Sequence, residues 1–267
     1  MTEIWKERRL IWKLAKNDFK KRYAGSYMGV LWALVQPVIT VVLYYFVFEV
    51  VFQNRAALLA GGITAPYVLY LTAGLVPWFY FSEAIMQGLY ALLEYNYLVK
   101  KVVFKIEILP VIKVIAASFI HLFFVGVLLI IYFVYGQVPT LKILQIPYYS
   151  FCLLALLVAT AYVTSAVVVF FRDLAQIISI SLQVLMWATP IMWDLAQLGG
   201  GHPVLCFIFK LNPLYYIVSG YRNALFGGGW FWQTPALTLY FWGFTILLFL
   251  FGRWVFRRLK PHFADVL

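Results

Sequence analysis

Six stretches of this chain are apolar for about the length that an α-helix needs to cross a bilayer's hydrocarbon core, roughly 20 residues. They are 30–52, 66–92, 109–135, 147–171, 177–194 and 232–256. A chain inside hydrocarbon must satisfy its own backbone N–H and C=O groups, which leaves helices and closed barrels. The runs are continuous and do not alternate, so strands are not expected. Hydrophobic residues make up 64% of the 267 and charged residues 12%, whereas a soluble domain has about half and a quarter. The expected fold is an all-α integral membrane protein with about six transmembrane helices.

The net charge is +11. With this apolar content, basic residues mark the cytoplasmic side of a membrane rather than a nucleic-acid surface. All but four of the 21 Lys and Arg residues fall on the side that holds both termini. The four exceptions are Arg55, Lys142, Lys210 and Arg222. Both termini are therefore expected in the cytoplasm of a multi-pass plasma-membrane protein, with no cleavable signal peptide. Cys152 reads as packing and Cys206 as part of an outer loop, with no reason to pair them.

The segment before the first span is not itself a span. Ile4, Ile11, Ala15, Phe19 and Tyr23 recur at helical spacing, with the lysines largely elsewhere. This predicts an amphipathic helix over 1–25 lying in the membrane interface. It is either an anchor or a surface that guides an anionic headgroup or touches a partner. Region 195–231 is too apolar for a passive loop. Glycine runs bound two short helical pieces broken at Asn212-Pro213, each too short to span, which predicts re-entrant outer helices before the last span.

Catalytic patterns are absent. There is no metal-binding acid pair, His-Glu-x-x-His motif or Gly-x-Ser-x-Gly elbow. The phosphate loop Gly-x-x-x-x-Gly-Lys-[Ser/Thr] is missing too, so uphill transport would draw energy from another chain or an ion gradient. No metal or cofactor is expected in this chain. Glu83 and His121 are candidate intramembrane groups, predicted at comparable depth and able to pair. Glu49, Asp194 and Lys113 lie near span ends and could reach water by snorkelling. Pro37, Pro77 and Pro190 predict kinks.

At 21–37 the residues KRYAGSYMGVLWALVQP open the first span. They resemble the permease subunit of ABC-2 type exporters of lipid-linked surface polysaccharide, O-antigen or teichoic acid. Gly74-Leu75-Val76-Pro77-Trp78, Phe171-Arg172-Asp173, Thr189-Pro190-Ile191, Asn212-Pro213 and Tyr221-Arg222 follow in the family's order. The resemblance covers nearly the whole chain, as one domain over 1–267. It implies a homodimer with two copies of a separate ABC ATPase, which would carry ATP and Mg. The cargo would be a polyprenyl-pyrophosphate-linked glycan moved to the outer face. It also implies outer gate helices within 195–231 and a cytoplasmic coupling region over 93–108, with Tyr95, Tyr97, Lys100, Lys101, Phe104 and Lys105 docking to the ATPase.

Lys20, Lys21 and Arg22 stand at the mouth of the first span, where a pyrophosphate would meet them, Arg22 being best suited to bidentate contact. Trp32, Tyr44, Tyr45, Phe46, Phe48, Trp78, Phe79, Tyr80, Trp187 and Trp193 are candidates to line a sugar path, about a third of them being expected to face it. Three rival readings remain: an ABC-2 permease for a drug or free lipid, a membrane glycosyltransferase, and an ion-coupled carrier. The missing acid pair argues against the second, and the shortage of intramembrane charge against the third.

Overall fold

The computed structural model describes residues 7–22, 27–53, 56–58, 64–99, 105–195 and 201–267. Helix α1 (Arg8–Arg22) precedes the bundle. The first long helix, α2 (Leu31–Tyr45), continues through a π-helical turn to Val51. A two-stranded antiparallel ribbon follows, β1 (Ala56–Leu58) against β2 (Thr64–Pro66), with Ala57 opposite Ala65. This ribbon is a feature that the reading of the spans did not anticipate. Next come α3 (Tyr67–Leu89) and the short elbow helices α4 (Ala91–Glu94) and α5 (Asn96–Val99). The long α6 (Leu109–Val134) and α7 (Gln145–Val168) complete the core with α3. After them stand α8 (Leu174–Ala188), α9 (Pro203–Lys210) and α10 (Pro213–Leu225). The chain ends with α11 (Pro235–Leu259) and α12 (Phe263–Val266).

Among the described residues, five helices are long and apolar enough to cross a membrane, or six if the α9–α10 pair counts as one span. The two members of that pair meet at 90°. Asn212 caps α10 by accepting from Leu214 N at 3.0 Å, and Pro213 fills the first helical position, where no N–H is needed. The predicted span at 177–194 differs from expectation. Its helix, α8, has 15 residues, about 22 Å at 1.5 Å per residue and short of the roughly 30 Å core. Pro190 disfavours helix at Thr189, which is extended at φ −88°, ψ 128°. Segment 189–195 carries on toward the start of α3, where Met192 and Trp193 meet Tyr67 and Tyr70. Pro37 and Pro77 lie inside continuous helices.

Apolar side chains gain little by leaving lipid for one another, so close packing sets these contacts. Small residues allow it. A Cβ at Gly88 would stand 2.8 Å from Ala161 Cβ, and one at Gly252 would stand 3.0 Å from the Ala159 carbonyl. At Gly220 a Cβ would fall 2.2 Å from the Tyr149 ring, so α10 seats on α7 only because that position has no side chain. A second cluster, with Ile11, Ala15, Leu92, Ile106, Phe256 and Phe263, gathers both described ends of the chain at one end of the bundle. By contrast α2 has no buried residue and α8 only Leu182.

Gly220→Ala is expected to displace Tyr149 and cost about 1–3 kcal/mol, the usual range for overpacking. Purified protein should melt several degrees lower, whereas Gly126→Ala, where an added Cβ would meet nothing within 4 Å, should melt close to wild type.

Candidate functional site

Stripes on three helices line a cavity of about 500 Å³. On α3, Val76, Phe79, Tyr80, Glu83 and Gln87 recur at three- and four-residue spacing and so share one face. Gln36, Thr40 and Trp32 of α2 oppose them, and Ile120, His121 and Phe124 of α6 close the side. The walls are thus aromatic rings interleaved with amides, hydroxyls and one carboxylate, surfaces that can stack on a sugar ring and hydrogen-bond its hydroxyls.

Glu83 and Gln87 form the floor, and Arg22, at the end of α1, meets them from the neighbouring cavity. Its Nη1 donates to Glu83 Oε1 at 2.7 Å, and its Nη2 donates to Gln87 Oε1. Gln87 Nε2 donates to the same Glu83 oxygen at 2.7 Å. Asp18, one turn earlier, lies 3.7 Å from Arg22. The pairing expected between Glu83 and His121 is therefore corrected. Glu83 is taken by Arg22 and Gln87. His121 Nε2 shares hydrogen bonds with Tyr221 of α10 at 3.0 Å and Ser150 of α7 at 3.3 Å, under a stacked Tyr80 ring at 4.7 Å.

Below the floor lies a cluster of buried charge. Lys113 Nζ donates to Asp18 Oδ1 at 2.7 Å and to Glu94, and the Tyr95 hydroxyl donates to the same Asp18 oxygen at 2.6 Å. The Lys113 side chain is only 5% exposed. It does not snorkel as expected, because the buried Asp18 and the half-exposed Glu94 meet it instead. Burial first, and then the bond to Asp18, raise the Tyr95 pKa, so at neutral pH Tyr95 stays a donor. A cavity of about 320 Å³ opens here between Lys21, Arg22, Glu94, Tyr95 and Tyr97.

The other predicted site residues are dispersed. Lys20 is exposed. Lys105 donates to Glu7 of α1 at 2.9 Å. Lys100, Lys101 and Phe104 lie outside the described residues. Of the candidate channel aromatics, Trp32, Phe79 and Tyr80 line the main cavity. Tyr44 packs on Phe48, which reaches Tyr67, and Trp78 is buried against Phe81. Tyr45, Phe46 and Trp187 face outward, and Trp193 packs on Phe209. These seven lie apart from the cavity because a helix turns only part of its circumference toward it. Arg222, assigned to the outer loops by its charge, is instead 7% exposed inside the bundle.

Residues missing from the expected site are Asp18, Glu94, Gln87, Ser150 and Tyr221. Asp18 had a signal, since it continues the apolar stripe of Ile11 and Ala15, where an acid needs a buried partner.

The long apolar helices, the bent α9–α10 pair and the aromatic cavity with its charged floor suit a membrane permease, and the comparison of sequences places the chain in that class. The profile of the ABC-2 type transporter family matches residues 9–226, and the chain belongs to that family as a multi-pass membrane protein. Its relatives include the O-antigen export system permease protein RfbA of Klebsiella pneumoniae, 26% identical over 255 residues, covering 95% of this chain and 93% of that protein. The protein of the same name from Myxococcus xanthus is 27% identical over 224 residues, covering 84% and 83%.

Lys113→Met should cost about 3 kcal/mol, because it leaves the buried Asp18 with only the more distant Arg22, at 3.7 Å, as counter-charge. Glu94→Gln should cost less than about 1 kcal/mol, since that side chain is 54% exposed and such pairs contribute little. Thermal unfolding of the two purified variants checks the order.

Proposed function

We propose that this chain is the membrane subunit of an ATP-driven exporter that moves a polyprenyl-pyrophosphate-linked polysaccharide across the plasma membrane. The observation that carries the reading is the main cavity, whose sugar-compatible walls end on an arginine held by an exchangeable carboxylate. The names of the relatives support the same class of cargo. Positive charge gathered around the terminal end supports a cytoplasmic location for both termini.

The pyrophosphate would enter beside α1 and take Arg22 from Glu83, since a guanidinium grips two phosphate oxygens at once. Lys21, on the wall of the neighbouring cavity, would add charge. The glycan would then run along Trp32, Phe79 and Tyr80. The elbow α4–α5 would dock to a separate ATPase through Tyr95 and Tyr97, with Lys105 and the adjoining basic residues. ATP and Mg would be held by that partner. The uncovered faces of α2 and α8 support a homodimer joined along them, with two ATPase copies below. Helix α1 would lie in the interface, and α9–α10 would form the outer gate.

Depletion of the protein should make one polyprenyl-pyrophosphate polymer accumulate in the inner leaflet, read by mass spectrometry of extracted lipids. Normal surface glycan with no accumulation would point to a drug or free-lipid exporter instead. In the purified complex, Arg22→Ala should abolish stimulation of ATP hydrolysis by the lipid-linked glycan and leave basal hydrolysis in place. Stimulation that survives the substitution would remove Arg22 from the headgroup site.

A further inference from the structure

Segment 189–195 is non-helical as far as Asp194, yet it runs through the apolar body of the protein. There its carbonyls would be costly to leave unpaired. Four successive carbonyls are satisfied by side chains. Arg222 of α10 donates from Nη1 to Pro190 at 2.6 Å and from Nη2 to Ile191 at 2.5 Å. The Tyr67 hydroxyl donates to Met192 at 2.7 Å, and the Tyr70 hydroxyl to Trp193 at 3.0 Å. Arg222 also donates from Nε to the Tyr70 carbonyl at 3.4 Å, and its guanidinium carbon lies 3.5 Å from the Tyr70 ring centre. Gly74 makes room for this seat, because a Cβ there would stand 3.1 Å from Ile191 Cγ2 and 3.2 Å from Arg222 Nη2.

Side-chain bonds of this kind can be broken and remade without unwinding a helix. Backbone bonds within a helix cannot. One planar guanidinium spans three carbonyls from two elements, so moving it frees Pro190 and Ile191 together and leaves Met192 and Trp193 on the weaker hold of two tyrosine hydroxyls. The residue before it faces the other way. Tyr221 shares hydrogen bonds with Ser150 at 2.5 Å and with His121 at 3.0 Å, and His121 lines the main cavity. Adjacent residues of α10 thus touch the cavity wall on one side and the carbonyl rack on the other.

We propose that Arg222 is a positioning residue of the transport cycle, a latch that holds segment 189–195 against α3 and closes the path at the end opposite the termini. Tyr221 carries the occupancy of the main cavity to it through His121. The link to cargo rests on the exporter reading above, whereas the latch itself stands whatever the cargo is.

The chain holds its own reporter. Cys206 of α9 is half-buried with its Sγ 3.9 Å from the Leu195 carbonyl, while Cys152 is fully buried. Release of the segment exposes Cys206. The test is the rate of maleimide labelling of the permease–ATPase complex in lipid nanodiscs, with and without lipid-linked glycan, and with Cys206→Ser as the blank. Arg222→Lys keeps the charge but replaces the planar fork by a point donor. It should label about fivefold faster than wild type or more, and Tyr67→Phe, which loses one bond, should fall between. Unlabelled Cys152 in each variant shows that the bundle is intact. Glycan should accelerate wild-type labelling, and Tyr221→Phe should remove that response while leaving the rate without glycan near wild type. Wild-type rates in a folded Arg222→Lys complex would overturn the latch. Faster labelling of Arg222→Lys, together with a wild type indifferent to glycan, would support the latch and overturn the cargo reading and the link through Tyr221.

Discussion

Lys113 is the charge on which the terminal half of this molecule is built. It sits on the first turns of α6 with Asp18 of α1 and Glu94 of the elbow around it. An ammonium there without those acids would have to lose its proton or drag water inward. With them, three elements distant in sequence are joined at one point, and Tyr95 adds a neutral donor to the same carboxylate. A buried ion set is weak as a source of net stability but strict about geometry. It fixes the height and rotation of α1. That in turn delivers Arg22, one turn beyond Asp18, to Glu83 and Gln87 at the floor of the cavity.

The opposite end obeys the same constraint with different groups. Proline at 190 stops α8 before it has crossed, and the exposed carbonyls that follow need donors. Two tyrosines of α3 and one arginine of α10 supply them. Between the two ends, His121 joins α6 to α7 and α10. Among the described residues, polar side chains knot the helices at the terminal floor, at mid-bundle and at the far end, and a further set, Tyr148, Tyr216, Thr238 and Trp242, joins α7, α10 and α11. The proposed cycle follows from that layout, with the elbow and α1 as the driven part and segment 189–195 as the part released.

Five of the six spans were legible because apolar run length maps directly onto helix length in a bilayer, whereas the run at 177–194 misled because Pro190 follows a helix of 15 residues. The broken pair was legible because Asn-Pro between two short apolar pieces stops one helix and caps the next. Pairings were much less so. Asp18 and Lys113 lie 95 residues apart and Arg22 and Glu83 lie 61 apart, and a periodicity argument places each residue on a face without naming the face opposite. Lys113 near a span end resembles a lysine reaching for water until its acids are seen. Glu83 and His121 do line one cavity. A shared cavity does not decide which of several polar neighbours each one takes. Arg222 shows the limit of counting charges by side, since a guanidinium surrounded by carbonyls needs no water.

If Asp18, Lys113 and Glu94 bind α1 and the elbow into one rigid unit, their separation is constant through the proposed ATP-driven cycle. Nitroxides at the exposed positions 16 and 96 measure it by pulsed electron resonance in the assembled complex, with and without nucleotide. The account predicts one narrow distance in both states, broadened by Lys113→Met. A wild-type distance that shifts or splits on nucleotide binding would contradict it, and would mean that the elbow moves independently of the helix that carries Arg22.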